Sequence, residues 1–454
     1  MRLTKDLTVG HPFKVMLLFS LPMFISVVFQ QFYNLADSMI AGHYAGEDAL
    51  AAIGASYPVT MVFMSVCFGC NIGISIVTSR HYGAKDHKNF CVTLKTGLTA
   101  SFICAVVLTV IGLLTGRFLL ELLGTPENIF SDSLLYLNIY LYGFIFLFFY
   151  NVCNGIFTSM GDSVTPLIFL IVSSVANVLL DIYFVGYMKM GVAGAAWATF
   201  IAQGAVGIVS FIVLIIRIRA TYKETFKEAA LFSKTAFSSL VKMSVPSILQ
   251  QAFVSVGNLF IQSFVNSFDS SVVAGYTAAI KLNTFALVSS FTFGNAMSTY
   301  TGQNIGAGKI DRIKKGLKYN IIMNVCLGIC FTALFVIFAR PLVSMFMEKG
   351  SSGLATETGI NFIRIVTPFY MVVCVKLSSD GALRGSGNMT AFMISTFMDL
   401  LLRIGFSALF MRTYGATGIW MSWPTGWTLG CAISIALCIR GIRALERKNK
   451  QISD

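Results

Sequence analysis

The stretch Phe13–Ile40, FKVMLLFSLPMFISVVFQQFYNLADSMI, decides the fold. Most of its residues are apolar, and crossing a bilayer as a helix takes about 20 such residues. The apolar core of a secretory signal is only roughly 7–15 residues long. This stretch is therefore expected to stay in the protein as a first spanning helix. Similar stretches follow at about 49–79, 92–115, 133–158, 164–187, 192–216, 240–267, 273–302, 319–340, 357–383, 389–411 and 416–439. Only 12% of the 454 residues are charged and 56% are hydrophobic, whereas soluble domains carry roughly 25% charge. The apolar runs are continuous and lack the alternation of barrel strands. The expected fold is an all-α integral membrane protein with twelve transmembrane helices.

The formal net charge of +13 would suggest nucleic acid in a soluble chain. Here it follows the positive-inside rule. With the N-terminus inside, 24 Lys and Arg flank the inner ends, against five on outer loops: Arg117, Lys189, Arg340, Lys349 and Arg412. The expectation is a multi-pass protein of the cell (inner) membrane with both termini cytoplasmic, contacting membrane lipids and no nucleic acid. Ten cysteines lie mostly in apolar runs, and the Cys67/Cys70 pair reads as small packed residues rather than a metal or redox site. The chain carries no phosphate-binding GxxxxGK[ST], no GxSxG, no HExxH and no metal-ligand cluster. Neither an enzyme nor a cofactor is expected.

The chain repeats. Ser20, Leu21 and Pro22 match Ser244, Val245 and Pro246 at a shift of 224, as do Asn34 with Asn258, and Gly191 and Gly194 with Gly415 and Gly418. Gly155 and Gly161 match Gly381 and Gly387 at 226. Six spans per copy give both copies one orientation, a parallel repeat of the kind that rocks around a central cavity. The expected organisation is an N-lobe over 1–216, a cytoplasmic linker over 217–239, and a C-lobe over 240–454 ending in a short basic tail.

Polar residues deep in a membrane are costly and mark pathways. Pro22, Ser26, Gln30, Tyr33 and Asp37 share one face of the first helix. The stripe either lines a polar path or bonds a neighbouring helix. Asn151, Asn154 and Thr158 share a face on the fourth helix, Asn177 and Asp181 on the fifth, Thr199 and Gln203 on the sixth. The first six helices hold no Lys or Arg in mid-span, so Asp37 and Asp181 lack a resident counter-ion. Such a carboxylate takes up a proton or holds a cation, H+ or Na+. The second half instead places Lys376, Asp380 and Arg384, and Asp399 and Arg403, at four-residue spacing, which reads mainly as structural ion pairs. Lys281 and Arg364 have no acid at helical spacing; Lys281 either lines the cavity or pairs across lobes. Pro22 and Pro246 should kink their helices, as static bends or as hinges.

Asn34 to Gly42, followed by Ala49, Leu50, Ala51 and Ala52, resembles the first helix and loop of MATE (multidrug and toxic-compound extrusion) transporters. Gln303-Asn304-Ile305-Gly306-Ala307-Gly308 is similar to the family's turn after its eighth helix, and Leu383-Arg384-Gly385 to its mark after the tenth. The resemblance spans essentially the whole chain. It implies a monomeric antiporter that exports cationic or amphipathic organic compounds against H+ or Na+. In the DinF-type branch the cation site falls on Asp37, Asn177, Asp181 and Thr199. Gln30, Tyr33, Asn151 and Asn154 match neighbours lining that lobe, and Asn34, Gln203, Asn258 and Lys281 are expected to line the substrate cavity with them. The NorM-type branch uses acids on its seventh helix, where this chain has Gln250 and Gln251. A lipid or lipid-linked oligosaccharide flippase of the wider superfamily is the alternative.

Overall fold

The computed structural model describes residues 5–347 and 353–453. Arg2 and Lys349, counted above among the basic flanks, lie outside the described residues. The helices are α1 Pro12–Ile40, α2 Glu47–Gly83, α3 His87–Leu122, α4 Glu127–Ser159, α5 Val164–Asp181, α6 Gly191–Glu228 and α7 Lys234–Val265. They continue with α8 Ser270–Gly306, α9 Ile310–Ile337, a short α10 Ala339–Ser344, α11 Gly353–Val366, α12 Tyr370–Gly385, α13 Met389–Tyr414 and α14 Ala416–Ser453. One 3-10 turn, Thr367–Phe369, joins α11 to α12. Counting that pair as one span, twelve helices among the described residues are long and apolar enough to cross a membrane. Each expected segment falls on one of them. Large apolar side chains stand exposed along their outer faces, among them Leu114, Phe118, Val172, Leu179, Ile216 and Leu259. Such surface suits lipid and not water.

The repeat is visible in the backbone. Gly161 and Gly387 take φ of 76° and 73°, and Gly191 and Gly415 both take 58°. This left-handed region strains residues with a Cβ, which explains why glycine recurs at both pairs. One residue beyond the first pair stand Asp162 and Asn388. Asp162 accepts from the Val164 and Thr165 amides at 3.1 and 3.0 Å, and Asn388 from the Ala391 amide at 3.3 Å. Each thereby satisfies orphan donors at the start of its helix.

The chain divides into two compact units. The first comprises residues 1–6 and Ile25–Leu249, the second Leu7–Phe24 and Gln250–Asp454. Two helices are thus shared. The opening of α1 belongs with the second unit and the opening of α7 with the first. Membership changes just after Pro22 in α1 and just after Pro246 in α7, and both helices remain continuous through their prolines. The polar stretch expected as a linker is largely helical. α6 runs on to Glu228 with a break in its dihedrals at Tyr222, and α7 begins at Lys234.

Within the first unit, phenylalanines and aliphatic residues of α2, α3, α4 and α6 make the core, including Phe63, Phe144, Phe148 and Phe157. Gly69 and Gly73 let α2 approach the opening of α7. A Cβ on Gly73 would fall 2.8 Å from the Ser244 amide nitrogen. Within the second unit, Tyr276, Phe362, Trp420, Trp423 and Trp427 centre the core. Gly381 and Gly385 bring α12 onto α8, where a Cβ would meet the Gly294 and Ser298 carbonyls at 2.2 Å. Both GxxxG steps are therefore close helix contacts. The motif Gln303–Gly308 also has a job in this unit. Gln303 Oε1 accepts the Leu7 amide at 3.0 Å, and Asn304 and Arg312 donate to the Leu7 carbonyl, each at 3.3 Å. The turn after α8 holds the segment that leads into α1.

Candidate cation site

The site lies in the first unit, where α1 and α5 end. Asp37 stands one turn before the end of α1, and Asp181 is the last residue of α5. Each helix then widens into a π turn, Ala41–Ala45 after α1 and Ile182–Tyr187 after α5. The two π turns pack on each other, with the Tyr44 ring 3.5 Å from where a Cβ on Gly186 would sit. π turns are rare and recur at functional sites. Here they bring the two acid-bearing helix ends together.

Asp181 is buried and Asp37 half-buried, and the two carboxyl groups are close enough to interact. Two ionised carboxylates are both acceptors, so their contact becomes a hydrogen bond only when a proton sits between them. Among the described residues neither forms an ion pair, and neither oxygen of Asp181 meets a donor. Beside them, Tyr33 Oη donates to Asn177 Oδ1. Asn177 is 2% exposed, and its Nδ2 has no acceptor. Unmatched buried polar atoms cost about 1–3 kcal/mol each. The ligand set is all oxygen, which suits a proton or a small hard cation.

Asp37, Asn177 and Asp181, the group implied by the resemblance to MATE transporters, lie near one another, with Tyr33 among them. Thr199 sits half-buried on α6 and makes no hydrogen bond to either carboxyl. Gln203 and Asn154 are also half-buried. Asn151 is buried, and its side chain donates to Leu147 of its own helix at 2.9 Å, while its carbonyl accepts from Asn71 of α2 at 2.8 Å. Gln30 and Asn34 lie on the exposed side of α1, Asn34 bonded to Gln31 at 3.4 Å. Two residues escaped the sequence reading. Tyr136 and Tyr140, stacked on α4 with centroids 6.4 Å apart, stand within electrostatic reach of this group, Tyr136 of both carboxyls and Tyr140 of Tyr33. The four-residue spacing of two tyrosines on a polar helix face was the available signal.

The second unit treats its buried charges differently. Lys376 bonds Asp380 at 2.8 Å and reaches Asp399 at 3.7 Å. Asp380 also accepts from Ser395 at 2.7 Å and Ser434 at 2.6 Å. The expected helical-turn partners Arg384 and Arg403 are placed otherwise. Arg384 donates to Asn295 at 2.6 Å between the rings of Phe291 and Phe392. Arg403 donates to Asn258 at 3.1 Å and lies 4.3 Å from the Trp423 ring. The acids are already engaged from other helices, and a guanidinium gains from aromatic faces when desolvated. Asn258 thus serves a buried arginine. Lys281 is exposed, its ammonium 5.4 Å from the Phe346 ring, and Arg364 is exposed.

The fold and these sites define a membrane transporter built on a duplicated six-helix unit. The MatE family model matches the chain twice, over residues 22–183 and 246–409, one match per half. The chain belongs to this family of multidrug efflux transporters, whose members are not enzymes. A Bacillus subtilis protein named as a multidrug resistance protein, YoeA, is 28% identical over 96% of this chain and 95% of its own length. A protein of Shewanella oneidensis named FAD transporter is 26% identical over 73% of this chain and 74% of its own. A crystal structure of MATE in complex with MaL6 superposes with a TM-score of 0.91 at 24% identity, covering 97% of this chain and 99% of that one.

Proposed function

We propose that the protein is a cation-coupled antiporter that exports cationic or amphipathic organic compounds, acting as a monomer in the cell membrane. The pair Asp37 and Asp181 carries the coupling ion, H+ or Na+, with Asn177 and Tyr33 as further oxygen ligands and Thr199 nearby. The observation that supports this reading is the pair itself: two adjoining carboxyls in a membrane-spanning unit, without a basic partner. The ion enters from outside and neutralises the pair. The end of α1 then rearranges, with Pro22 as a weak point in its hydrogen bonding, and organic substrate held along Gln30, Asn34, Asn154 and Gln203 is released. The ion leaves on the inner side and the cycle resets. The excess of basic residues at one set of helix ends supports cytoplasmic termini.

The test is efflux from loaded proteoliposomes under an H+ or a Na+ gradient imposed alone. One gradient drives wild-type efflux, and Asp37→Asn protein inserted at equal density shows background efflux only. Full export by that variant sinks the assignment.

A second reading has one observation behind it. Lys281 and Arg364 are exposed cations in the second unit, and one relative is named for an anionic dinucleotide. An anionic substrate would be held there. Competition of FAD against an organic cation, in the same vesicles and with Lys281→Gln protein, separates the two readings.

A further inference from the structure

We propose that a cleft between the start of α9 and the end of α14 is a binding site for a phosphate-bearing anion, with a phospholipid headgroup as its favoured source. The cleft lies wholly within the second unit and has a volume of about 730 Å³. The cleft lies where span nine begins, at Ile310, and span twelve ends, at Arg447. Five basic residues line it, Lys309, Arg312, Lys314, Arg443 and Arg447, against two acids, Asp311 and Glu446.

How these charges are used decides the reading. Glu446 is taken by Lys314 in an ion pair. Lys309 donates to the Thr8 carbonyl at 2.9 Å and Arg312 to the Gly10 carbonyl at 2.8 Å. Those bonds fix the side chains in place and leave their charge uncancelled. Arg443 and Arg447 are exposed, stand one helical turn apart on one face, and form no ion pair among the described residues. Asp311 is the remaining acid for four cations. The first turn of α9 adds the positive end of its dipole, with the Arg312 amide already bonded to the Lys309 carbonyl at 3.1 Å. A phosphate diester matches this arrangement, since arginine forks and amides both address its oxygens. Beside the cleft, Ile313 of α9 and Ile442 and Leu445 of α14 add apolar side chains, with Leu383 of α12 next to them. Charge beside apolar surface fits a lipid better than a free ion. The inference does not depend on the transport reading.

The experiment is native mass spectrometry and thermal melting of the purified full-length protein with phosphatidylglycerol, phosphatidylcholine or inorganic phosphate. Phosphatidylglycerol is expected to remain bound and to raise the melting temperature, with phosphatidylcholine doing neither. Arg443→Gln with Arg447→Gln should weaken phosphatidylglycerol binding by roughly thirtyfold, while Arg443→Lys with Arg447→Lys keeps most of it. Lys223→Gln with Lys227→Gln, on an exposed stretch of the other unit, should change nothing. The melting temperature without added lipid shows that each variant is folded. Inorganic phosphate that protects as well as the lipid, and only with the arginines present, upholds the site and assigns it to a soluble phosphate ester. Equal lipid retention by wild type and the Arg443→Gln, Arg447→Gln variant overturns the proposal.

Discussion

The two units share one backbone plan and handle buried charge in opposite ways. In the first, Asp37 and Asp181 lie close to each other at the ends of α1 and α5, and among the described residues neither has a basic partner. In the second, Asp380 and Asp399 share Lys376, and Asp380 gains two serine hydroxyls besides. A satisfied cluster of that kind has little reason to exchange ions during a cycle, because removing one member exposes the rest to full desolvation. An unsatisfied pair has every reason to. Both copies keep one backbone plan, and among the described residues they differ in whether their buried acids have a lysine within reach.

The strongest way to break this comparison is to neutralise one acid in each unit. Asp181→Asn should reduce gradient-driven efflux to background. Its melting temperature should hold or rise, because a buried charge without a partner costs free energy in the folded state. Lys376→Met should do the reverse to stability, leaving two acids without their cation at a cost of about 3–5 kcal/mol. The melting temperature of detergent-purified protein checks both. Opposite signs sustain the contrast between the units; loss of stability in both would reduce Asp181 to a structural residue.

A smaller effect tests the frame that holds the second cluster. Gly381→Ala places a Cβ against the Gly294 carbonyl, which is backbone and cannot step aside. Separation of α12 from α8 should cost about 1–3 kcal/mol. Because α12 carries both Lys376 and Asp380, the variant should melt early and still respond to the same coupling ion. A change of coupling ion would place the second cluster in the transport cycle.

Much of this was legible in the residues. Twelve spans followed from apolar run lengths, and the duplication from glycines and prolines at nearly one shift; the lack of Lys and Arg in the first six helices left Asp37 and Asp181 without a counter-ion, and only the family resemblance put them at one site. What the sequence hid was rotation and reach. Spacing of four residues puts Asp399 beside Arg403 on one helix, yet Lys376 of another helix takes the acid while Arg403 turns to Trp423. The π turns after α1 and α5 leave no mark in composition, since they depend on how two helix ends meet. Tyr136 and Tyr140 read as ordinary aromatic residues until α4 is placed beside the carboxyls.

Tyr136 supplies the finest test. Its ring packs against the cluster of Ala49, Ala52, Ile129 and Val192, and its phenol stands within electrostatic reach of Asp37 and Asp181. Tyr136→Phe keeps the packed ring and removes only the oxygen. Melting should therefore stay near wild type. Loss of a phenol beside the pair, worth up to about 0.5–1.5 kcal/mol, should raise the ion concentration needed for half-maximal efflux by roughly two- to tenfold. Tyr140→Phe, farther from the pair, should shift it less. An unchanged ion dependence in Tyr136→Phe would confine the first unit's site to the two acids, Asn177 and Tyr33. The difference between the units would then rest on the missing lysine alone.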